Sequence, residues 1–365
     1  ILLPPALLAE PDPIKFRQHA QNRGVLKNFN GEASAWHAAY YASDFLTAYK
    51  AYGNVKWLEE AEKYYDFLIT KLSKDPDGYE GWIGQTIGKT AGIRMDALVG
   101  DAILLEPMTL WAEIVLKDPK LKERFGAKAK EYVKLARRII WEKYNHRNCY
   151  YEDAAYGGYN TGTKRIDAKT GKWVNRPGSQ ISDNLNKHYS AGMVLLRLWR
   201  IDPRPEYKER IIKIFSRAKA MWRYYRDEDR VVWNFWMPQG PYDIEGTAPR
   251  SWVAVHPKRS GYQAGEVHDW VEVYDSGLVF TRKDIERIIR TNHWMMDHGY
   301  KSADGTSKAG TLWGALARFD ERIRKAHEKR TAKGRNAKQQ IAHAYLKNVT
   351  MKQLGWKRLY VDDPK

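Results

Sequence analysis

The densest set of reactive side chains lies in residues 250–263, read RSWVAVHPKRSGYQ. Arg250, His256, Lys258, Arg259, Tyr262 and Gln263 all fall within it. Such a set suits removal of a proton beside a sugar carboxylate. A cation or amide neutralises the C6 carboxylate of a uronic acid, which makes the C5 hydrogen acidic. A base then takes that hydrogen, and an acid protonates the departing O4. Tyrosine beside arginine can serve, because the cation favours phenolate and lowers a pKa otherwise about 10. The same residues also make a structured basic loop with a Gly–Tyr turn.

A second group is DNLNKHY, residues 183–189. Asn184 and His188 are four apart and share a helix face, so an amide and an imidazole project together towards a carboxylate. His188 is also a candidate base. The competing reading makes Asp183 or Ser182 a helix cap and packs His188 in the wall. Trp36, His37, Tyr40 and Tyr41 form a stripe that either stacks on sugar or fills a core. Trp82, Tyr242 and Arg94, which follows the glycine-rich stretch 84–92, are further candidates for substrate binding. A rival hydrolytic chemistry would draw its acid and base from Asp183, Glu245, Glu266, Asp269 and Asp275. Several of these lie along one expected helix, where acids are routine.

Other chemistries lack their signatures. The chain has a single cysteine, Cys149, so it can form no intrachain disulfide and no cysteine-based zinc site. It carries no Walker loop, dinucleotide fingerprint or Gly-x-Ser-x-Gly elbow. His293 and His298 are five apart, which misses the zincin spacing. No metal and no cofactor are expected, and no nucleic-acid-binding motif is present.

The elements that must position these residues are helices in pairs. Apolar residues recur at i, i+3, i+4 and i+7 over 34–52 and 54–72, joined at Gly53. Further pairs are expected over 94–116 with 121–144, 183–200 with 206–226, 265–278 with 283–297, and 311–329 with 336–348. Asp118-Pro119 and Asp202-Pro203 break two of them. Strand-like alternation is confined to short pieces such as 231–236. Links within a pair are short and links between pairs are long: 73–93, 145–182, 229–264 and 299–310. The pattern predicts an all-α fold, an α/α toroid of six to seven hairpins, in one domain spanning 1–365 with long loops on one face.

Composition narrows the partner. The 365 residues carry a net charge of +18, from 62 Lys+Arg against 44 Asp+Glu, and include 15 Trp and 23 Tyr. A positive field favours anionic partners, and rings pack on pyranose faces. Residues 321–365 hold 13 basic and 4 acidic residues, so +9 of the excess belongs to that stretch. An acidic polysaccharide is the expected partner, with no nucleic acid and no membrane; oligomeric state is not legible. No apolar run reaches the roughly 20 residues that span a bilayer. A secreted or periplasmic location is expected.

The text from His256 to Gln263, followed by Glu266, Trp270 and Tyr274, resembles helical-toroid polysaccharide lyases, most of all polysaccharide lyase family 38. The segment Trp236, Pro238, Gly240 and Tyr242 and the Asn184/His188 helix add to the likeness, which covers about 183–300. The resemblance implies β-elimination in a β-1,4-linked polyuronate, mannuronate-rich alginate or glucuronan. Tyr262 would be the acid and also the base, His188 a neutraliser or base, Arg259 the charge stabiliser and Asn184 a carboxylate ligand. Toroidal alginate lyases keep Asn and His adjacent, whereas here they are four apart, or two apart if Asn186 is used. That leaves His256 or Tyr242 open as replacements for His188 or Tyr262.

Overall fold

The computed structural model describes residues 10, 12–85, 94–160, 164–166, 170, 173–175, 182, 184–236, 243–249, 260–306 and 310–332. Among them the helices are α1 (Pro13–Gln21), α2 (Gly24–Lys27), α3 (Gly31–Tyr52), α4 (Lys56–Ile69), α5 (Leu98–Lys117) and α6 (Pro119–Ala136). They continue with α7 (Tyr144–His146), α8 (Leu185–Ile201), α9 (Pro205–Ala220), α10 (Ser260–Asp275), α11 (Arg282–Asp297) and α12 (Glu321–Ala332). A π-helical segment, Arg137–Lys143, extends α6.

Local chemistry sets the boundaries. Gly53, at φ 69°, closes α3 in the left-handed region and turns the chain straight into α4. Asp118 accepts from the backbone N–H groups of Lys120 and Leu121, with Pro119 opening α6 where no donor is needed. Thr281 and Asp284 form a reciprocal capping box at the start of α11.

The helices follow the α/α-toroid plan. α3 packs on α5, α5 on α8 and α8 on α10, giving an inner layer, while α4, α6 and α9 each lie behind the inner helix they follow. Burial matches this division. In α5, 15 of 20 residues are buried, and in α8 12 of 17. The outer α6 and α9 bury only 7 of 18 and 5 of 16, the single apolar stripe of a helix with one face in water. Tryptophans fill the space between layers: Trp233 and Trp270 lie 4.5 Å apart by ring centroids, and Trp313 sits 5.2 Å from Trp233.

The expected pairs stand at 34–52 with 54–72 and 183–200 with 206–226, and helices are present at the expected 265–278 and 283–297, all with shifted ends. Three expectations are corrected. Residues 94–97 are not helical: Arg94–Asp96 is a strand between Gly84–Gln85 and Lys164–Ile166, in an antiparallel four-stranded sheet completed by Trp173–Asn175. The helix expected to run to 226 stops at Ala220, and Arg223–Tyr225 pairs with Arg230–Val232. Residues 311–320 hold only a short 3-10 turn, Gly314–Leu316, before α12 begins; the expected helix at 336–348 lies outside the described residues. The four-stranded sheet joins the connection before α5 to the one before α8, so two long connections are tied together at the same end of the ring. No described helix is long and apolar enough to cross a membrane.

Candidate functional site

An inner helix is walled on both sides, so any residues it leaves accessible must face the hollow of the ring or one of its ends. On α3 the accessible residues include Trp36, Tyr40, Ser43, Thr47 and Lys50, spaced four, three, four and three. Between them Ala35, Ala38, Tyr41, Ala42, Phe45 and Leu46 are buried. That spacing is one helix face. On α10 the matching stripe is Tyr262, Gly265, His268 with Asp269, and Glu272. The two stripes face each other: Tyr262 acts on the Tyr40 phenol at one level, and Glu272 acts on the Lys50 ammonium at the other. Ten residues separate the levels on each helix, about 15 Å of rise. The lumen therefore has an aromatic mouth at the N-terminal ends of the inner helices and a charged floor deeper in.

The floor gathers side chains from four helices. Arg197 of α8 pairs with Glu272, and its Nε lies 3.5 Å from Glu113 Oε2 on α5. Arg200 reaches Glu113 at 3.6 Å and Glu272 at 3.8 Å. His268 Nδ1 lies 3.4 Å from Asp269 Oδ1, and its Nε2 lies 3.9 Å from Glu272 Oε1. Exposure grades across the group: Arg197 is 1% accessible, while the His268 side chain is 50% accessible.

This setting separates the carboxyl groups. Burial opposes ionisation of Glu272, but Arg197, with His268, Lys50 and Arg200, overrides it and holds that carboxyl at about 2. Glu106, on α5 beside Pro107, goes the other way. Burial first, then the negative charge of Asp269, pushes it up to about 8. Burial also raises Asp269, against the pull of His268. For His268 burial disfavours the cation, yet Asp269 and Glu272 outweigh it and raise its pKa. Burial and the charge of Asp269 keep the proton on Glu106 while Glu272 stays ionised, so carboxyl groups around one space differ in protonation.

At the mouth, Tyr262 is 41% exposed and lies 5.0 Å from the Phe235 ring, while Tyr40 is 48% exposed. Burial, with Tyr262 adding to it, raises the Tyr40 phenol above its usual value. The Trp36 indole N–H donates to Glu32 Oε1 at 3.5 Å, and Lys187 Nζ lies 3.4 Å from the same oxygen. Asn184 Oδ1 and Asn186 Oδ1 are buried without a hydrogen-bond partner among the described residues.

The residues singled out from the sequence meet different fates. Tyr262, Trp36 and Asn184 are drawn to the mouth, and His37 is half-buried on the flank of the α3 stripe. Asn184, not Asp183 or Ser182, holds the N-cap position of α8, and its side chain makes no capping bond. His188 is 2% exposed, and its Nδ1 accepts the Tyr159 backbone N–H at 2.9 Å, which puts the proton of a neutral ring on Nε2. Trp82 belongs to the core: it is 1% exposed, and its indole N–H donates to the Leu68 carbonyl at 2.8 Å. Arg94 contributes a backbone strand; its side chain lies outside the described residues, as do Tyr242, Arg250, His256, Arg259, Asp183 and the Glu245 side chain.

Of the acids proposed for hydrolysis, Glu266 is fully buried with Oε2 accepting the Trp233 indole N–H at 2.6 Å, and Asp275 pairs with Arg318. Among those whose side chains are described, Asp269 alone reaches the lumen floor. The sequence reading missed Glu106, Glu113 and Arg197, although each is a lone charge inside an apolar helical run, as in ILLEPMTLWAEIV.

No family model matches the chain, and no curated protein matches it either. Three similar solved structures are sugar epimerases. Cellobiose 2-epimerase from Spirochaeta thermophila DSM 6192 is 15% identical, with 77% of this chain and 66% of that one covered, at a TM-score of 0.42. Cellobiose 2-epimerase from Bacillus thermoamylovorans B4167 is 13% identical, covering 79% and 72% at 0.43. A sugar epimerase from a ruminal bacterium is 14% identical, covering 95% and 86% at 0.47. None of the three is a polysaccharide lyase, so they lend no support to the resemblance to family 38. The assignment of the fold rests on this chain's own helix packing.

Proposed function

We propose that this protein is a carbohydrate-active enzyme that admits an acidic glycan into its lumen and cleaves it by acid–base catalysis, as a glycoside hydrolase. The observation that carries the reading is the convergence of Glu106, Asp269, Glu272 and His268 on one partly accessible space above Arg197. Glu106, protonated at neutral pH, is the acid that gives its proton to the departing glycosidic oxygen. Asp269, steadied by His268, is the carboxylate that activates water or attacks the anomeric carbon. Glu272 stays ionised on Arg197 and fixes the guanidinium. Trp36, Tyr40 and Tyr262 offer ring faces to the pyranose at the entrance, where Lys187 adds a cation.

A second reading keeps β-elimination. It is favoured by one observation, the accessible Tyr262 phenol opposite Tyr40. There the tyrosine removes the C5 proton and returns a proton to O4, and the product carries a 4,5-unsaturated uronate. Incubating the protein with mannuronan, glucuronan and a neutral glucan separates the two. New reducing ends without the ultraviolet absorbance of the unsaturated uronate, lost in Glu106→Gln and kept in Tyr262→Phe, support hydrolysis. That absorbance, lost in Tyr262→Phe and kept in Glu106→Gln, overturns hydrolysis in favour of elimination. An isomerised sugar with no cleavage overturns both.

A further inference from the structure

The lumen is not the only place where this chain concentrates charge. A cavity of about 830 Å³ lies outside the ring wall, in the valley between α6 with its π-helical extension and the C-terminal ends of α5 and α8. Seven of the residues lining it are basic and two are acidic, Glu113 and Glu142. Four of the cations form a single ridge. Lys122, Lys130 and Lys134 fall on the i+4 row of α6, with Gly126 at the place between the first two, and Arg138 carries the row into the π-helical extension. Successive i+4 positions are about 6 Å apart along a helix axis, so the ridge runs about 24 Å. Lys122, Lys130 and Lys134 are exposed and make no ion pair with a described carboxylate. Lys117 and Arg200 face the ridge from the other side of the valley.

We propose that this valley is a second binding site, which holds an oligosaccharide carrying several carboxylates and performs no chemistry on it. The naming of that ligand rests on the proposed function; the affinity for anions does not. Lys117 and Arg200 are paired with Glu113 and Arg137 with Asp202, but the ridge lysines make no such pair, so they repel one another and an anion relieves that repulsion. Arg138 adds a planar fork that matches carboxylate geometry. The remaining lining is aliphatic, from Leu116, Val133 and Ile201, with no aromatic ring. A single-stranded nucleic acid would want stacking platforms there, and a neutral sugar would want a ring face. A linear chain with a charge on each sugar needs neither. The row of cations suits its repeating carboxylates.

The site also adjoins the lumen. Arg200 and Glu113 line the valley, and both belong to the network that holds Glu272 at the floor. A glycan resting in the valley is thereby kept beside the same wall that the reacting chain meets from inside.

The test is the triple charge reversal Lys122→Glu, Lys130→Glu and Lys134→Glu, which touches no residue of the lumen. Binding of a mannuronate hexamer and a glucuronate hexamer is measured by calorimetry on this variant, on the wild type and on Glu106→Gln, with a neutral cello-oligosaccharide and a single-stranded oligonucleotide as probes. The expected result is a loss of at least tenfold in hexamer affinity in the triple variant, with an unchanged melting temperature and no loss in Glu106→Gln. Weakening by added salt should accompany it. Equal hexamer affinity in the triple variant and the wild type overturns the site. Tighter binding of the oligonucleotide than of either hexamer overturns the glycan assignment in favour of nucleic acid. Should the triple variant misfold, Lys130→Gln with Lys134→Gln is read in the same way, at about threefold. Hexamer binding in the valley without turnover of any uronate would sink the proposed function and leave this site standing, whereas turnover with undiminished binding in the triple variant would do the reverse.

Discussion

Two clusters of acids and bases in this molecule use nearly the same residue types and do opposite things. In the first, Lys143 Nζ donates to Asp96 Oδ2 at 2.8 Å and Asp101 Oδ2 at 2.5 Å, and Arg147 pairs with Asp75, Asp77 and Asp96. The Lys143, Asp96 and Asp101 side chains are wholly inaccessible. Each cation meets at least two carboxylates, and the result pins the connection before α5 to the π-helical segment. In the lumen, Arg197, Arg200, His268 and Lys50 meet Glu106, Glu113, Asp269 and Glu272, but the cluster opens onto the hollow and its partners are shared unequally. Glu272 takes the guanidinium and Glu106 is left to keep its proton. Enclosure with each cation shared between carboxylates makes a clamp, whereas partial enclosure and unequal pairing make groups that differ in protonation at one pH.

The contrast can be broken most severely at Glu106. Replacing it with Gln should cut turnover of an acidic glycan by about a hundredfold to ten-thousandfold, as loss of a general acid does, with the fold intact by circular dichroism. Retained turnover would place the lumen with the clamp. Next comes the clamp itself. Lys143→Met leaves Asp96 and Asp101 buried without their shared cation and should cost about 3–5 kcal/mol in denaturant unfolding. A cost below about 1 kcal/mol would show that the buried acids simply take up protons.

The pH profile sharpens the same difference. Activity should fall on the alkaline side as Glu106 loses its proton at about 8. Stability follows with a defined sign. Glu106 binds its proton more tightly folded than unfolded, so its contribution is complete below the ordinary value of 4.5 and is lost as pH rises towards about 8. Glu272 has the opposite sign: its contribution is complete above 4.5 and is lost as pH falls towards about 2. Unfolding curves of wild type against Glu106→Gln, taken from pH 5 to pH 9, should diverge progressively in favour of the variant; parallel curves would remove Glu106 from the account. The smallest effect is a control outside both clusters. Thr281→Ala breaks the α11 capping box and should cost about 1 kcal/mol in stability with no change in turnover.

How much of this was legible in the sequence varies with the range of the interaction that decides it. The hairpins were readable because the 3.6-residue period, Gly53 and Asp118-Pro119 are local signals. Arg94–Asp96 was misread as helix because its strand character comes from pairing with Lys164–Ile166, some seventy residues later. The helix assigned as far as 226 ended at Ala220 for the same reason, since Arg223–Tyr225 finds its partner across a turn. Trp82 drew attention as a sugar platform, but only the fold reveals that its indole is spent on the Leu68 carbonyl. The floor of the lumen was overlooked because its members lie in different helices. Glu106 and Arg197 each look like an isolated charge in an apolar run, and only the ring brings them to one space.

The order of short and long connections has an electrostatic outcome of its own. A short link follows every inner helix, so α3, α5, α8 and α10 all run in one direction and their peptide dipoles add instead of cancelling. Each contributes roughly half a positive charge at its amino end. The backbone therefore holds the entrance of the ring positive before any side chain is counted, drawing anions to it. The carboxyl ends, where the opposite pole gathers, are where Lys50, Arg197 and Arg200 stand.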